Sequence, residues 1–221
     1  MTVRIHQIRD WMSNIFLLVE DNTLTLVDTG ASGGPQAVLR ALERHGFRPE
    51  QIRHILITHA DFDHIGGAAA LKARTGATIY ASQGEAEAMA RGASSRDLRV
   101  GSIGKVLLGM FERLSSIMPV AADRIVVDGD VLPILGGLQV VGTPGHTPDH
   151  VSFYAPVHRL LFAGDSLFAT ARRLQCINSP VMWDYARAKE SAARQARLGA
   201  RIVACGHGPV TEHAEAKFPV F

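Results

Sequence analysis

The feature that most restricts how this chain can fold is the stretch 58–67, THADFDHIGG, set directly behind the apolar, β-branched run 52–57. That run predicts a buried strand. The polar residues therefore fall where the strand ends, and Gly66 and Gly67 open an alanine-rich helical segment, 68–74. His59, Asp61, Asp63 and His64 all carry groups able to bind a metal ion. A straight strand would send alternate side chains to opposite faces, whereas a turn at its end can converge them. Imidazole and carboxylate suit zinc, iron or manganese rather than a soft, thiolate-type site. The competing reading is a polar loop that merely contains such residues, and the rest of the chain weighs against it by supplying further ligands.

Around this stretch the pattern is layered. The apolar runs 14–20 and 23–28, joined by Asp21 and Asn22, predict a hairpin. Pro35 is a suitable first residue for a helix over 36–45, where Val38, Leu39 and Leu42 recur at helical spacing. Residues 77–81 read as another strand, so helix and strand alternate and the class is α/β. Residues 82–122 break the rhythm: 85–91 is helical in pattern, and 105–114 is apolar nearly all round. Such a helix is deeply buried or covers something. It is an ordinary packing element, a homodimer contact, or a lid whose Leu107, Leu108, Met110, Phe111, Ile117 and Met118 line a pocket for an apolar substrate tail. Short strands then follow at 124–127, 131–134, 138–141, 151–155, 159–163 and 202–204, with a helix over 183–198. No linker divides the chain, which predicts one domain over 1–221 with a helical insertion at about 82–122, built as two packed sheets with helices outside.

Composition narrows the partners. A net charge of +2 with no Lys/Arg run interleaved with aromatics makes nucleic acid an unfavoured partner. Cys176 and Cys205 form neither a Cys-x-x-Cys pair nor a disulfide framework, which fits a reduced, cytoplasmic setting. No apolar leader precedes residue 10 and no stretch approaches the ~20 apolar residues of a membrane span. The expected partner is a small-molecule substrate.

Three distant points repeat the design of the first: an apolar strand ends and a glycine-flanked His or Asp follows. They are His146 after 138–141, Asp165 after 160–163, and His207 after 202–204. Together with 59–64 (HADFDH), the stretches 145–148 (GHTP), 164–168 (GDSLF) and 206–209 (GHGP) resemble the metallo-β-lactamase superfamily, and with 28–30 (DTG) the resemblance covers nearly the whole chain. It implies a four-layer αββα sandwich with the metals at one edge. By position it puts His59, Asp61 and His146 on one ion and Asp63, His64 and His207 on a second, with Asp165 bridging. Two cations about 3.5–4 Å apart share a water, lower its pKa and polarise a substrate oxygen. Asp63 can also orient that nucleophile and is the catalytic candidate. Asp28 resembles a supporting residue that fixes the His59 loop, and His150 one that supports His146 without binding metal. Asp61 departs from the family, where histidine is usual. A carboxylate there hardens the ligand set, so iron or manganese compete with zinc.

No Gly-x-Ser-x-Gly elbow or phosphate-cradling Gly-Lys-Ser/Thr loop offers another chemistry. The expectation is hydrolysis by a metal-bound, bridging hydroxide, first of a small ester or lactone with an apolar portion. Lactonases of the superfamily carry a tyrosine three residues after the bridging aspartate, where this chain has Phe168; Tyr154 or Tyr185 could supply that hydroxyl. The alternatives are a thioesterase of the glyoxalase II type, a phosphodiesterase or nuclease, a promiscuous β-lactamase and a diiron redox protein. Against the thioesterase stands the short segment after His207, too little for that family's added helical domain.

Overall fold

In the computed structural model, which describes residues 3–96 and 117–219, the chain forms two compact units. Residues 3–95 and 117–125 make the first, and residues from 126 onward, with residue 96, the second. Each is organised on one six-stranded sheet. No helix among the described residues is long and apolar enough to cross a membrane.

The first sheet starts with the antiparallel strands β1 (Arg4–Arg9), β2 (Asn14–Glu20) and β3 (Thr23–Val27). It continues in parallel through β4 (Ile52–Leu56), β5 (Thr78–Ala81) and the two-residue β6 (Arg124–Ile125). Parallel neighbours need crossovers, and the helices provide them: α1 (Gly34–His45), the single turn α2 (Phe62–Ile65) with α3 (Ala68–Thr75), and α4 (Gln83–Arg91). Pro35 sits in the first turn of α1 and Gly46 closes it in the left-handed conformation. Val38, Ala41 and Leu42 face the core formed by Ile15, Leu17, Leu26, Ile55 and Ile57. A strand buried on both faces reads as a continuous apolar run. For that reason β2, buried from Asn14 to Val19, is legible in the sequence.

The second sheet runs in the spatial order β14-β13-β10-β9-β8-β7, comprising β7 (Val131–Leu132), β8 (Leu138–Gly142), β9 (Val151–Ala155), β10 (Leu160–Gly164), β13 (Ile202–Cys205) and β14 (Thr211–Glu212). A separate small ribbon joins β11 (Phe168–Ala169) to β12 (Leu174–Gln175). Among the described residues only β10 and β13 pair in parallel within this sheet, and α5 (Tyr185–Ala196) makes their crossover. Asp184 caps α5 by accepting the Ala186 and Arg187 amides, and Ala188, Ser191, Ala192 and Gln195 form its buried stripe.

Sequence and structure differ at the short elements. The expected strands 124–127 and 131–134 shrink to two residues each, and they belong to different sheets. Between them the Asp130 carboxylate accepts the Val127 amide in a tight turn. Strand β1 went unrecognised because its residues show no alternation of burial, and its pairing with β2 defines it. The expected helix over 105–114, with Leu107, Leu108, Met110 and Phe111, lies outside the described residues. Met118 is exposed.

The two thiols are held inert by their surroundings. Cys176 contacts the carbonyl oxygens of Ser166 and Ala188, and burial pushes its pKa up to about 11. Burial, then the negative charge of Asp165 and the neighbouring Cys176, raises that of Cys205 as well. The thiolate is the reactive form, and at pH 8 a thiol of pKa 11 is ionised to only about 0.1%. Iodoacetamide should therefore label both residues at least about 100-fold more slowly in the folded protein than in urea. Intact-mass spectrometry checks this, and rapid labelling of the native protein would contradict it.

Candidate metal centre

In the first unit the candidate metal ligands occupy the turn between β4 and α3. The Asp61 backbone is extended, and its carbonyl accepts the His64 and Ile65 amides, so the chain coils into α2. This coil brings together donors that an extended strand would separate. His59 and His64 are fully buried and Asp61 and Asp63 nearly so. The two imidazole rings lie 4.1 Å apart by centroid. His59 Nε2 faces Asp61 Oδ2 at 3.5 Å, and His64 Nε2 faces Asp63 Oδ2 at 3.8 Å.

The proton positions in this turn follow from Asp28. Its ionised carboxylate can only accept. Oδ1 accepts the Thr58 amide at 2.8 Å, while Oδ2 accepts the Thr58 hydroxyl and His64 Nδ1, each at 2.8 Å. His64 therefore carries its proton on Nδ1. Having given its only hydrogen to Asp28, Thr58 Oγ1 must accept from His59 Nδ1, 3.0 Å away. Both rings thus turn Nε2 lone pairs toward carboxylate oxygens. Lone pair facing lone pair is repulsive without a cation, and imidazole nitrogen with carboxylate oxygen is a first-row divalent donor set.

Other contacts hold the turn by its backbone. The Thr29 amide and hydroxyl both donate to the His64 carbonyl, at 2.8 and 2.7 Å. The Ser13 hydroxyl donates to the Asp63 carbonyl. Glu85, fully buried on α4, accepts the Ala60 amide at 2.8 Å. In sequence Glu85 is indistinguishable from a residue on a solvated helical face, where acidic side chains ordinarily lie. Its only sequence cue is its position in the first turn of α4, among small residues.

The second unit presents a three-donor set. His146 lies in the loop after β8, Asp165 follows β10 and His207 follows β13. Asp165 Oδ2 is 3.6 Å from His146 Nε2 and 3.2 Å from His207 Nε2, so one carboxylate oxygen joins the two rings. The His146 loop lies directly on α5: the Trp183 and Asp184 amides donate to the His146 and Gly145 carbonyls. A Cβ on Gly145 would lie 2.5 Å from the Ala188 Cα, at a φ of +148° that glycine tolerates and other residues do not.

The His150 ring meets that of His146 edge-on, with centroids 6.3 Å apart, and His150 is also tied to Asp165. The Asp165 amide donates to His150 Nε2 at 3.1 Å, which leaves the proton on Nδ1, within 2.8 Å of Thr143 Oγ1. The hydroxyl of Thr143 is then directed to Ser152, whose own hydroxyl reaches the Ala163 carbonyl. Gln195 donates to both Ser152 and Ser166. This buried chain fixes the backbone from Ala163 to Ser166, and with it the Asp165 side chain. Both His150 nitrogens are engaged in it, which argues against a ligand role. Phe168 stacks on His207, with centroids 5.4 Å apart and planes 7° from parallel. The Tyr154 hydroxyl, a candidate for the lactonase role, donates to the Leu198 carbonyl inside the core of the second unit.

Comparison with known proteins agrees with these motifs. The metallo-beta-lactamase superfamily profile matches residues 8–207. The hydroxyacylglutathione hydrolase of Rhodospirillum rubrum is 32% identical over 216 residues, covering 93% of this chain and 66% of that enzyme. The hydroxyacylglutathione hydrolase of Rhizobium meliloti is 33% identical over 165 residues, covering 71% of this chain and 52% of that enzyme. The chain thus spans between half and two thirds of the length of these two relatives. Among solved structures, a metallo-β-lactamase from Cronobacter sakazakii superposes with a TM-score of 0.72 at 29% identity, covering 92% of this chain and 75% of that one. On motif order, fold and profile alike, the chain belongs to the metallo-β-lactamase superfamily.

Proposed function

We propose that this protein is a metal-dependent hydrolase whose substrate is a thioester, of the kind cleaved by hydroxyacylglutathione hydrolases. His59, Asp61 and His146 would hold one divalent ion, and Asp63, His64 and His207 a second, with Asp165 shared between them. When bound, the ions polarise the scissile carbonyl and acidify water. Both sets pair two imidazoles with one carboxylate and suit zinc, and the Asp61 carboxylate, standing where the family usually has histidine, leaves the first open to manganese or iron as well. Asp28 and His150 fix the orientation of the donors. Asp63 is the base that receives the proton of the attacking water. Water would add to the acyl carbon as Asp63 takes one of its protons, the carbon–sulfur bond would break to release the carboxylic acid and a thiolate, and Asp63 would pass its proton to solvent.

The observation that carries the choice of thioester is Phe168 lying flat on His207, where lactonases of the superfamily carry a tyrosine hydroxyl. Tyr154 is committed to Leu198 and does not replace it. An expelled alkoxide benefits from such an acid. A thiolate, whose conjugate thiol has a pKa of about 8.5, leaves without one. The relatives named hydroxyacylglutathione hydrolase support the same choice.

The test is hydrolysis of S-lactoylglutathione, γ-lactones of increasing chain length and a β-lactam by protein reconstituted separately with zinc, manganese and iron. Chelator-sensitive thiol release, with kcat/KM at least about tenfold above that for any lactone, is expected. Lactone hydrolysis without thioester turnover would overturn the substrate class. No turnover with any metal would overturn the hydrolase reading.

A further inference from the structure

Asp61 stands at the N-terminal boundary of α2, a place where an aspartate side chain ordinarily accepts an amide of the first turn. Here it makes no such bond. Its carboxylate is oriented instead by Ser94, whose hydroxyl donates to Asp61 Oδ1 at 2.8 Å, while Oδ2 faces His59 Nε2 at 3.5 Å. The two oxygens therefore have different surroundings: one is directed to a serine and the other to an imidazole of the donor set.

Ser94 is itself held. Gly92 ends α4 at a φ of +65°, with its amide on the Met89 carbonyl, and the Ala93 amide returns to Ala88. The Val120 amide also bonds to Met89. The same helix carries Glu85, which accepts the Ala60 amide one residue before Asp61. The turn is thus gripped twice, at the backbone by Glu85 on α4 and at the side chain by Ser94 just beyond the end of that helix. A hydroxyl fixed by so short and braced a connection is placed before any ion arrives.

We propose that Ser94 is a positioning residue that makes Asp61 a one-oxygen metal ligand and thereby sets which metal its site prefers; this inference rests on the metal-centre reading above. A carboxylate with both oxygens available chelates ions that accept six or more ligands. One restricted to a single oxygen suits the four-coordinate geometry of zinc. Tying Oδ1 to Ser94 therefore offsets the shift toward manganese or iron that an aspartate in place of histidine would otherwise bring.

The experiment is equilibrium titration of the metal-free protein with zinc and with manganese, each in competition with a chromophoric chelator, and with stoichiometry counted by native mass spectrometry. The variants are Ser94→Ala and Ser94→Thr, with folding confirmed by circular dichroism. Outer contacts of this kind govern metal affinity by about 10–100-fold. In Ser94→Ala one of the two zinc affinities should fall at least about tenfold while that for manganese is kept or gained. Ser94→Thr, which retains the hydroxyl, should restore the wild-type ratio. Unchanged affinities in Ser94→Ala, or a parallel loss for both metals, would overturn the inference. A wild-type protein that takes up fewer than two ions would instead overturn the metal-centre reading, and this inference with it.

Discussion

Replacing Asp165 with alanine should release metal from the protein and lower hydrolysis by about a thousandfold, with the fold intact. The magnitude follows from the role: electrostatic stabilisation by a bound metal supplies several kcal/mol at the transition state, and about 4 kcal/mol is close to a factor of a thousand. Asp165 Oδ2 is the atom faced by both His146 and His207, so its loss breaks the donor set in the second unit and, on the proposed assignment, would remove the ligand the two ions share. The fold should survive because what anchors this residue is its backbone. Its amide donates to His150 and the Gly206 amide bonds to the Gly164 carbonyl, and alanine keeps both. Metal content by native mass spectrometry, turnover and thermal unfolding of the metal-free protein check the three parts. Full metal content with full activity would remove Asp165 from the centre.

What could be read in the sequence was whatever long contiguous runs or repeated local designs encode. The buried runs that became β2, β4, β9 and β10 are continuous enough to declare strands, and Pro35 and Gly46 bracket α1. The donors were legible because His59, His146, Asp165 and His207 each stand where a run ends. Elements defined by pairing were not. β1 is a polar edge strand, and β11 and β14 have two residues each, too few for any period to show. The supporting contacts were hidden for a different reason. Glu85 and Ser94 act on Ala60 and Asp61 from 25 and 33 residues away, and nothing local to either announces a partner. His150 was legible only in its relation to His146, whose ring it meets edge-on; its bond to the Asp165 amide depends on sheet pairing and has no local sign.

Asp28 is the residue through which proton placement can be tested, because asparagine at that position keeps its shape and reverses its hydrogen-bonding. Its backbone φ of +60° is one that asparagine also adopts readily, so Asp28→Asn should fold. The native carboxylate accepts three donors, whereas the amide has one accepting oxygen. If that oxygen keeps the Thr58 amide, the NH₂ group faces the Thr58 hydroxyl and His64 Nδ1, both of which must then accept. The His64 proton moves to Nε2. Thr58, released from Asp28, donates to His59 Nδ1, and the second ring changes tautomer too. Both imidazoles then present an N–H where a lone pair is needed. A single disrupted outer contact lowers metal affinity by about 10–100-fold, and a change at two ligands should reach the upper end of that range. Activity should fall in parallel. Asp28→Ala should differ in kind: it strands three buried donors and should cost about 3–5 kcal/mol of stability. Long-range ¹H–¹⁵N correlation spectra of the metal-free protein report the tautomers directly. Wild type should show Nδ1–H on both His59 and His64, and Asp28→Asn should show Nε2–H. Native tautomers in the variant, together with a metal affinity within about threefold of wild type, would mean that Asp28 only ties the turn together and does not direct its protons.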